Sequence, residues 1–194
     1  MRSRRVGITG LGALTPLGLD APSSWEAAVA GRSGIDWIES FDASAFPVRI
    51  AGEVRGFDPT GVVPAKDVRR LERNVLLAVA AAREAWDDAD PGPVAPERVG
   101  ILLGSAIGGL PGIVGQHSVL LERGWDRIAP TFIPSVLVDT ASGQVAMALG
   151  LRGPNYAPVS ACATGSTAVG EAAETIKRGD ADLVLAGGTE SCMH

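Results

Sequence analysis

The sequence predicts an α/β fold in which a sheet is covered on both faces by helices. Two observations predict it. Short apolar runs alternate along the chain with longer segments whose apolar residues recur at helical spacing. Glycine is abundant, at 25 residues, while aromatic residues make up only 5%. That composition suits close backbone approach between strands and helices.

The elements follow in order. Arg5 to Gly12 is expected to be a buried strand running into glycines. A helix opens at Pro22 and stops at Gly31; Ser23 and Glu26 have the S-x-x-E spacing of a capping box. Ile35 to Pro64, rich in Pro, Gly and Asp, reads as an irregular excursion with one short strand near Val48–Val54. Lys66 to about Ala89 is the longest helix, with Leu71, Val75, Leu76, Val79 and Ala80 at helical spacing and Asp90-Pro91-Gly92-Pro93 as its end. Val99 to Leu103 is a short strand. The turn Gly108-Gly109-Leu110-Pro111-Gly112 feeds a helix that reaches about Arg123. Pro134 to Leu149 is a further helix, stopped by Gly150. Asn155 to Val159 is a strand, Ser160-Ala161-Cys162 a tight turn, and Thr164 to Arg178 an amphipathic helix capped by Gly179. Leu183 to Ala186 is a last strand, ending in Gly187-Gly188.

A length of 194 residues corresponds to one domain or a large piece of one, and 46% hydrophobic residues allow a sizeable core. The net charge of −5 disfavours a nucleic-acid binder. The two cysteines, Cys162 and Cys192, make no disulfide framework, and a reducing, cytoplasmic setting is expected. The first residues lack the apolar stretch of a secretory signal, and no run of about 18 apolar residues predicts a membrane span. No Cys/His constellation has metal-site spacing, so no metal is expected.

Cys162 is the residue with chemical promise. It sits between a strand and a helix among small neighbours. A sharp strand-to-helix turn projects its side chain out of the sheet edge. The helix N-terminus brings partial positive charge and free N–H groups, which favour a thiolate and can bind an oxyanion. Position alone fits equally well an ordinary core cysteine. Cys192 has no such turn after it and is expected to be structural. The pair Gly108-Gly109 is weak evidence for a phosphate loop, since G-x-x-x-x-G-K-[ST] is absent.

The segment Val159-Ser160-Ala161-Cys162-Ala163-Thr164-Gly165 resembles the active-site cysteine segment of the β-ketoacyl-acyl-carrier-protein synthases. Further stretches are similar to that family in the same order: Thr9 to Gly18, Phe41-Asp42-Ala43-Ser44 with Ile50 to Val54, Gly108-Gly109-Leu110, Phe132-Ile133-Pro134-Ser135, Gly150 to Pro154, and Gly179 to Asp182 followed by Ala186 to Glu190. The likeness spans essentially the whole chain and is nearest to the elongating bacterial type II enzymes. It implies residues 1–194 to be the N-terminal half of a thiolase-like, α-β-α-β-α layered sandwich. It implies an acyltransferase of fatty acid elongation, a 3-oxoacyl-ACP synthase. The cysteine takes an acyl group from acyl-ACP, and a decarboxylative Claisen condensation with malonyl-ACP follows.

The resemblance also implies that two histidines and a lysine of a C-terminal half complete the site. The only histidines here are His117 and His194, and neither sits in a catalytic context. The chain alone is therefore expected to be incompetent for condensation, a missing half supplying the histidines. By the same resemblance, Ile107 gates the acyl pocket and Phe132 reaches the pocket of a homodimer partner; plain core packing is the alternative for both. Lys66, Arg69, Arg70 and Arg127 correspond to residues that dock acyl carrier protein, against the alternative of a solvated helix face. No cofactor is expected, because the substrates ride on the phosphopantetheine of ACP. No nucleic acid or membrane partner is expected. A polyketide ketosynthase and a non-catalytic partner subunit are the competing readings.

Overall fold

The computed structural model describes residues 5–192 of the chain. At its centre is a three-stranded parallel sheet in the order β4-β3-β5, formed by β3 (Val99–Gly104), β4 (Asn155–Tyr156) and β5 (Leu183–Gly188). β3 and β5 run in register from Val99 against Leu183 to Gly104 against Gly188. A separate two-stranded antiparallel ribbon, β1 (Asp36–Trp37) with β2 (Ile50–Ala51), lies in the excursion before the long helix.

Helices cover both faces of the parallel sheet. Val99, Ile101 and Leu103 of β3 and Leu185 of β5 pack with Leu76, Val79 and Ala82 of α3 (Arg73–Ala89), Val145 of α6 (Thr140–Leu149) and Leu151. Leu102 faces the other way, onto Ala168 and Ala172 of α7 (Thr164–Arg178), beside Val184 and Ala186. β3 is buried along its whole length, and alternate side chains feed the two cores. Ser142 of α6, fully buried, donates to the Ile101 carbonyl at 3.1 Å and to Asn155 Oδ1 at 2.7 Å, tying the helix to β3 and β4. Across the opposite ends, Arg98 clasps both carboxylate oxygens of Asp182 at 2.9 and 2.8 Å and also reaches the Gly179 carbonyl. That bidentate pair joins the starts of β3 and β5 to the end of α7.

Four expectations need correction. Residues 5–12 are extended but form no ladder, and Ile8 is 76% exposed. The segment lines an apolar groove of about 420 Å³ together with β5, α3 and α7. Its amides are held instead by acids of α3: Leu11 N–H donates to Asp88 at 2.9 Å and Ala13 N–H to Glu84 at 2.8 Å. Gly10 and Gly12 are required there, because a Cβ on either would come within 2.2 or 2.0 Å of an α3 carbonyl. The cap of α1 (Ala21–Val29) is Asp20, whose carboxylate accepts the Ser23 N–H at 2.6 Å; the S-x-x-E box lies inside the helix.

The long helix expected from Lys66 is split into α2 (Ala65–Val68) and α3. Arg73, at the break, donates to the Val54 carbonyl at 2.6 Å and lies over the Phe57 ring. The helix expected from Pro134 to Leu149 is also split, into α5 (Phe132–Val136) and α6. The break leaves the Val136 carbonyl free to accept the Gly109 N–H at 3.0 Å. The remaining elements fall close to expectation: α4 spans Leu110–Arg123, Gly150 and Gly179 end their helices in the left-handed conformation, and the strands at β2 and β4 are shorter than predicted, β2 being paired with an unexpected β1.

Glu53 organises the ribbon. Its carboxylate accepts the Glu39 N–H at 3.0 Å and the Ser40 N–H at 3.1 Å, with Arg55 at 3.4 Å. Hydrogen bonding from Ser40, then from the Glu39 amide, pulls its pKa down from 4.5 to about 2. A carboxyl depressed on folding stabilises fully above its ordinary value and loses that contribution as acid titrates it. Urea midpoints should therefore fall as pH drops from about 4.5 toward about 2. Glu53→Gln should be less stable at neutral pH and show a shallower acid decline; an unchanged slope would remove Glu53 from the acid response.

Candidate active site

The carboxyl ends of β3 and β5 meet the N-terminus of α7 at a junction of glycines. A Cβ on Gly188 would lie 3.1 Å from the Gly165 backbone, and one on Gly104 would lie 2.1 Å from the Pro158 carbonyl and 2.5 Å from Thr164. Small residues at these points let the strand ends, the post-β4 segment and the helix start come together. In open parallel sheets this end is where ligands bind.

Cys162 sits on that junction. Ala161 before it has φ 51°, the left-handed region that a residue with a Cβ seldom enters. The turn is held locally: Ala163 N–H donates to the Ser160 carbonyl at 3.1 Å, and Thr164 N–H to the Ala161 carbonyl at 3.1 Å. Thr164, buried, uses its hydroxyl twice, accepting the Ser160 N–H at 3.0 Å and donating to the Ala161 carbonyl at 2.7 Å. Ser160 and Thr167 hydroxyls pair at 2.6 Å. The strained turn pushes Cys162 outward, and the thiol is exposed. Among the described residues Cys162 lies outside the two apolar cores. Among the described residues, no backbone carbonyl accepts the N–H of Gly165 or Ser166 in the first turn of α7, so these amides stand available to an anion.

Cys192 is exposed as well, and its surroundings differ. It lies at a cavity of about 630 Å³ with Glu53, Arg55, Phe57, Arg73 and Glu190. Its thiol is 3.6 Å from Glu190 Oε1, and burial, followed by the nearby Glu190 carboxylate, pushes its pKa up. A raised thiol is a poor nucleophile at neutral pH.

The other predicted residues are distributed as follows. Ile107 is 47% exposed, on the loop between β3 and α4. Phe132 begins α5 and is half-buried. Lys66, Arg69 and Arg70 are exposed on α2 and the turn after it. Arg73, part of the same run, is turned inward and leaves the patch. Arg127 is exposed in the turn after α4, 3.5 Å from Asp126. His117 is exposed on α4, away from the junction by sequence and element, and His194 lies outside the described residues. Gly108 and Gly109 are packing glycines, since a Cβ would meet the Val136 carbonyl at 2.4 Å or Glu72 at 2.6 Å. No described helix is long and apolar enough to cross a membrane.

Sequence reasoning passed over Glu190 except as part of a motif. Its carboxylate accepts the Ala106 N–H at 2.9 Å and the hydroxyl of the buried Ser105 at 3.1 and 3.2 Å. The partners are 84 and 85 residues away, and no local pattern marks them.

The thiol environments set an order of reactivity. Limiting iodoacetamide at neutral pH should alkylate Cys162 before Cys192, as read by peptide mapping over time. Faster modification of Cys192 would contradict the assignment of the accessible nucleophile to the α7 turn.

Comparison with known proteins bears on this geometry. The family described as "Beta-ketoacyl synthase, N-terminal domain" matches residues 3–194. The chain is 45% identical over 192 residues to 3-oxoacyl-(acyl-carrier-protein) synthase 2 of Coxiella burnetii, covering 98% of this chain and 46% of that protein. It is 42% identical, with the same coverage, to the Staphylococcus aureus protein of that name. The chain thus spans about half the length of the curated relatives it matches. Among solved structures, the ishigamide ketosynthase/chain length factor aligns with a TM-score of 0.85 at 28% identity, over 99% of this chain and 49% of the other. A β-ketoacyl synthase from Burkholderia phymatum aligns with a TM-score of 0.79 at 30% identity, over 92% and 45%. The fold is that of the ketosynthases, which are thiolase-like.

Proposed function

The chain belongs to the β-ketoacyl synthase N-terminal domain family, and from that premise we propose that it is the acyl-accepting half of a 3-oxoacyl-acyl-carrier-protein synthase of fatty acid elongation. The observation that carries the reading is the exposed Cys162 on a strained turn, at the point where β3, β5 and the first turn of α7 converge. In the proposed reaction the Cys162 sulfur attacks the thioester carbonyl of acyl-ACP. The new S–C bond replaces the bond to the phosphopantetheine sulfur, which leaves and takes up a proton. The available amides at the start of α7 favour the negative oxygen of the tetrahedral intermediate. Ile107 and Phe132 line the acyl pocket in this reading.

The second step, decarboxylation of malonyl-ACP and attack of its carbanion on the acyl-cysteine, needs groups beyond the described residues. The only described histidine, His117, lies exposed on α4. We assign the catalytic histidines to a C-terminal half and the working assembly to a homodimer. Fatty acid elongation is favoured over polyketide synthesis because the relatives at 42–45% identity carry the name 3-oxoacyl-(acyl-carrier-protein) synthase 2. Incubating the full-length enzyme with acyl-ACP should add one acyl mass on Cys162, and Cys162→Ala should abolish the adduct. The 194-residue chain alone should form no 3-ketoacyl-ACP. An adduct persisting in Cys162→Ala would sink the reading.

Acyl carrier protein is an acidic partner in this proposal, and one solved neighbour is a type II PKS acyl-carrier protein in complex with its ketosynthase. The exposed Lys66, Arg69, Arg70 and Arg127 are the cations offered to it. Rim charges act mainly on encounter, so reversing both Arg69 and Arg70 to Glu should raise the apparent KM for acyl-ACP roughly tenfold, with kcat little changed. The effect should shrink as salt is added. A KM that does not move would leave these residues as a solvated helix face.

A further inference from the structure

Ile107 projects from a loop that is fixed at nearly every neighbouring position. On one side Ala106 N–H donates to Glu190 Oε2 at 2.9 Å. The buried Ser105 hydroxyl donates to the same carboxylate at 3.1 and 3.2 Å and accepts the Gly108 N–H at 2.9 Å. On the other side Gly109 N–H donates to the Val136 carbonyl of α5 at 3.0 Å. Gly108 adopts φ 75° against that same carbonyl. Glu190 is itself anchored: Thr189 N–H donates to the Gly104 carbonyl at 3.0 Å, and the Thr189 hydroxyl to the Asn74 carbonyl at 2.6 Å. The carboxylate therefore reaches the loop from a backbone that extends the β3–β5 pairing by one more hydrogen bond.

We propose that Glu190 is a positioning residue that holds the Ser105–Gly108 loop and thereby sets how strictly Ile107 limits acyl-chain length. The inference rests on the proposed role of Ile107 at the acyl pocket. A charged acceptor shared by an amide and a hydroxyl is stronger than either neutral bond and fixes direction as well as distance. Without it the Ala106 amide loses its acceptor, Ser105 loses one of its two partners, and Ile107 gains freedom to move aside. The consequence falls on selectivity, because Glu190 holds Ala106 directly before Ile107 and the Ser105 hydroxyl that accepts from Gly108 after it, and has no contact with Cys162 among the described hydrogen bonds.

The test uses full-length enzyme with Glu190→Ala, Glu190→Gln and Ser105→Ala. The readouts are the kcat/KM ratio for Cys162 acylation by palmitoyl-ACP over hexanoyl-ACP and amide exchange at Ala106 and Gly108. Loss of one charge-assisted contact corresponds to roughly tenfold. Glu190→Ala should raise the long-to-short ratio by about that factor and speed exchange at Ala106 similarly. Glu190→Gln, whose amide oxygen can still accept from Ala106, should restore most of both. Ser105→Ala should speed exchange at Gly108 while leaving Ala106 protected. An unchanged ratio in an active Glu190→Ala enzyme overturns the inference and leaves the function intact. If no variant, wild type included, is acylated at Cys162, the functional reading has failed, and exchange at Ala106 decides the loop clamp alone. If Glu190→Ala does not fold, a Glu190→Gln enzyme with wild-type ratio but with Ala106 exchanging as fast as free peptide overturns it.

Discussion

Val99 to Gly104 lie against Leu183 to Gly188 residue for residue, and the geometry of the candidate site depends on that register. In a parallel pair a slip of one residue turns every side chain to the opposite face. Ile101 would then leave the α3–α6 core for the α7 side, and Leu102 would make the reverse exchange. The same register decides where the strands end. Gly104 and Gly188 finish together, and α7 can rest its first turn on them because neither carries a Cβ. One residue beyond Gly104 stands Ser105, two beyond Gly188 stands Glu190, and the two meet. The cysteine turn and the Ser105–Gly108 loop are thus both set by a single strand pairing, one on each side of its carboxyl end.

The turn at Cys162 combines strain with dense local support. Ala161 in the left-handed region costs of order 1–3 kcal/mol, and such strain persists only where surrounding bonds over-determine it. Here Thr164 closes the turn from inside with two hydrogen bonds, and Ser160 with Thr167 closes it from the helix side. The thiol itself is left out of this network, which makes it exposed and spatially fixed at once. A thiol presented in this way fits a group that must accept a bulky acyl chain from a carrier and hold it for a second partner.

Much of the site was readable along the chain because its determinants are local. The small residues around Cys162, the helix that follows and the glycine that ends it are neighbours in sequence, and each has a direct backbone consequence. Failures arose where distant groups decided the outcome. Leu71, Val75, Leu76 and Val79 keep helical spacing across the break between α2 and α3, so periodicity could not see that Arg73 is drawn to Val54 and Phe57. The expected strand at residues 5–12 has strand composition, yet it joins no ladder, and the amides at and just past its end, Leu11 and Ala13, go to Asp88 and Glu84 on α3. Capping by Asp20 in place of Ser23 is a choice between two competent residues three positions apart, settled by the Asp20 side chain reaching the Ser23 amide. Glu190 is the clearest case: its partners lie on the loop after another strand, and only the fold brings them together.

The division of chemistry follows from what the described residues can and cannot supply. Holding an acyl group requires a nucleophile, a turn that presents it and donors for an oxyanion, and all three arise from one strand–turn–helix unit in this chain. Handling the charge that develops when a carboxylate leaves as carbon dioxide requires donors or acids close to the acyl-cysteine. The side chains that bond around Cys162 are instead hydroxyls of Ser160, Thr164 and Thr167, already paired with one another or with backbone. They stiffen the turn and, as hydroxyls, do not ionise near neutral pH to act as acid or base. In the proposed reading, acyl capture is assigned to the β3–β5–α7 junction, and the proton chemistry of condensation to residues brought against the junction from elsewhere.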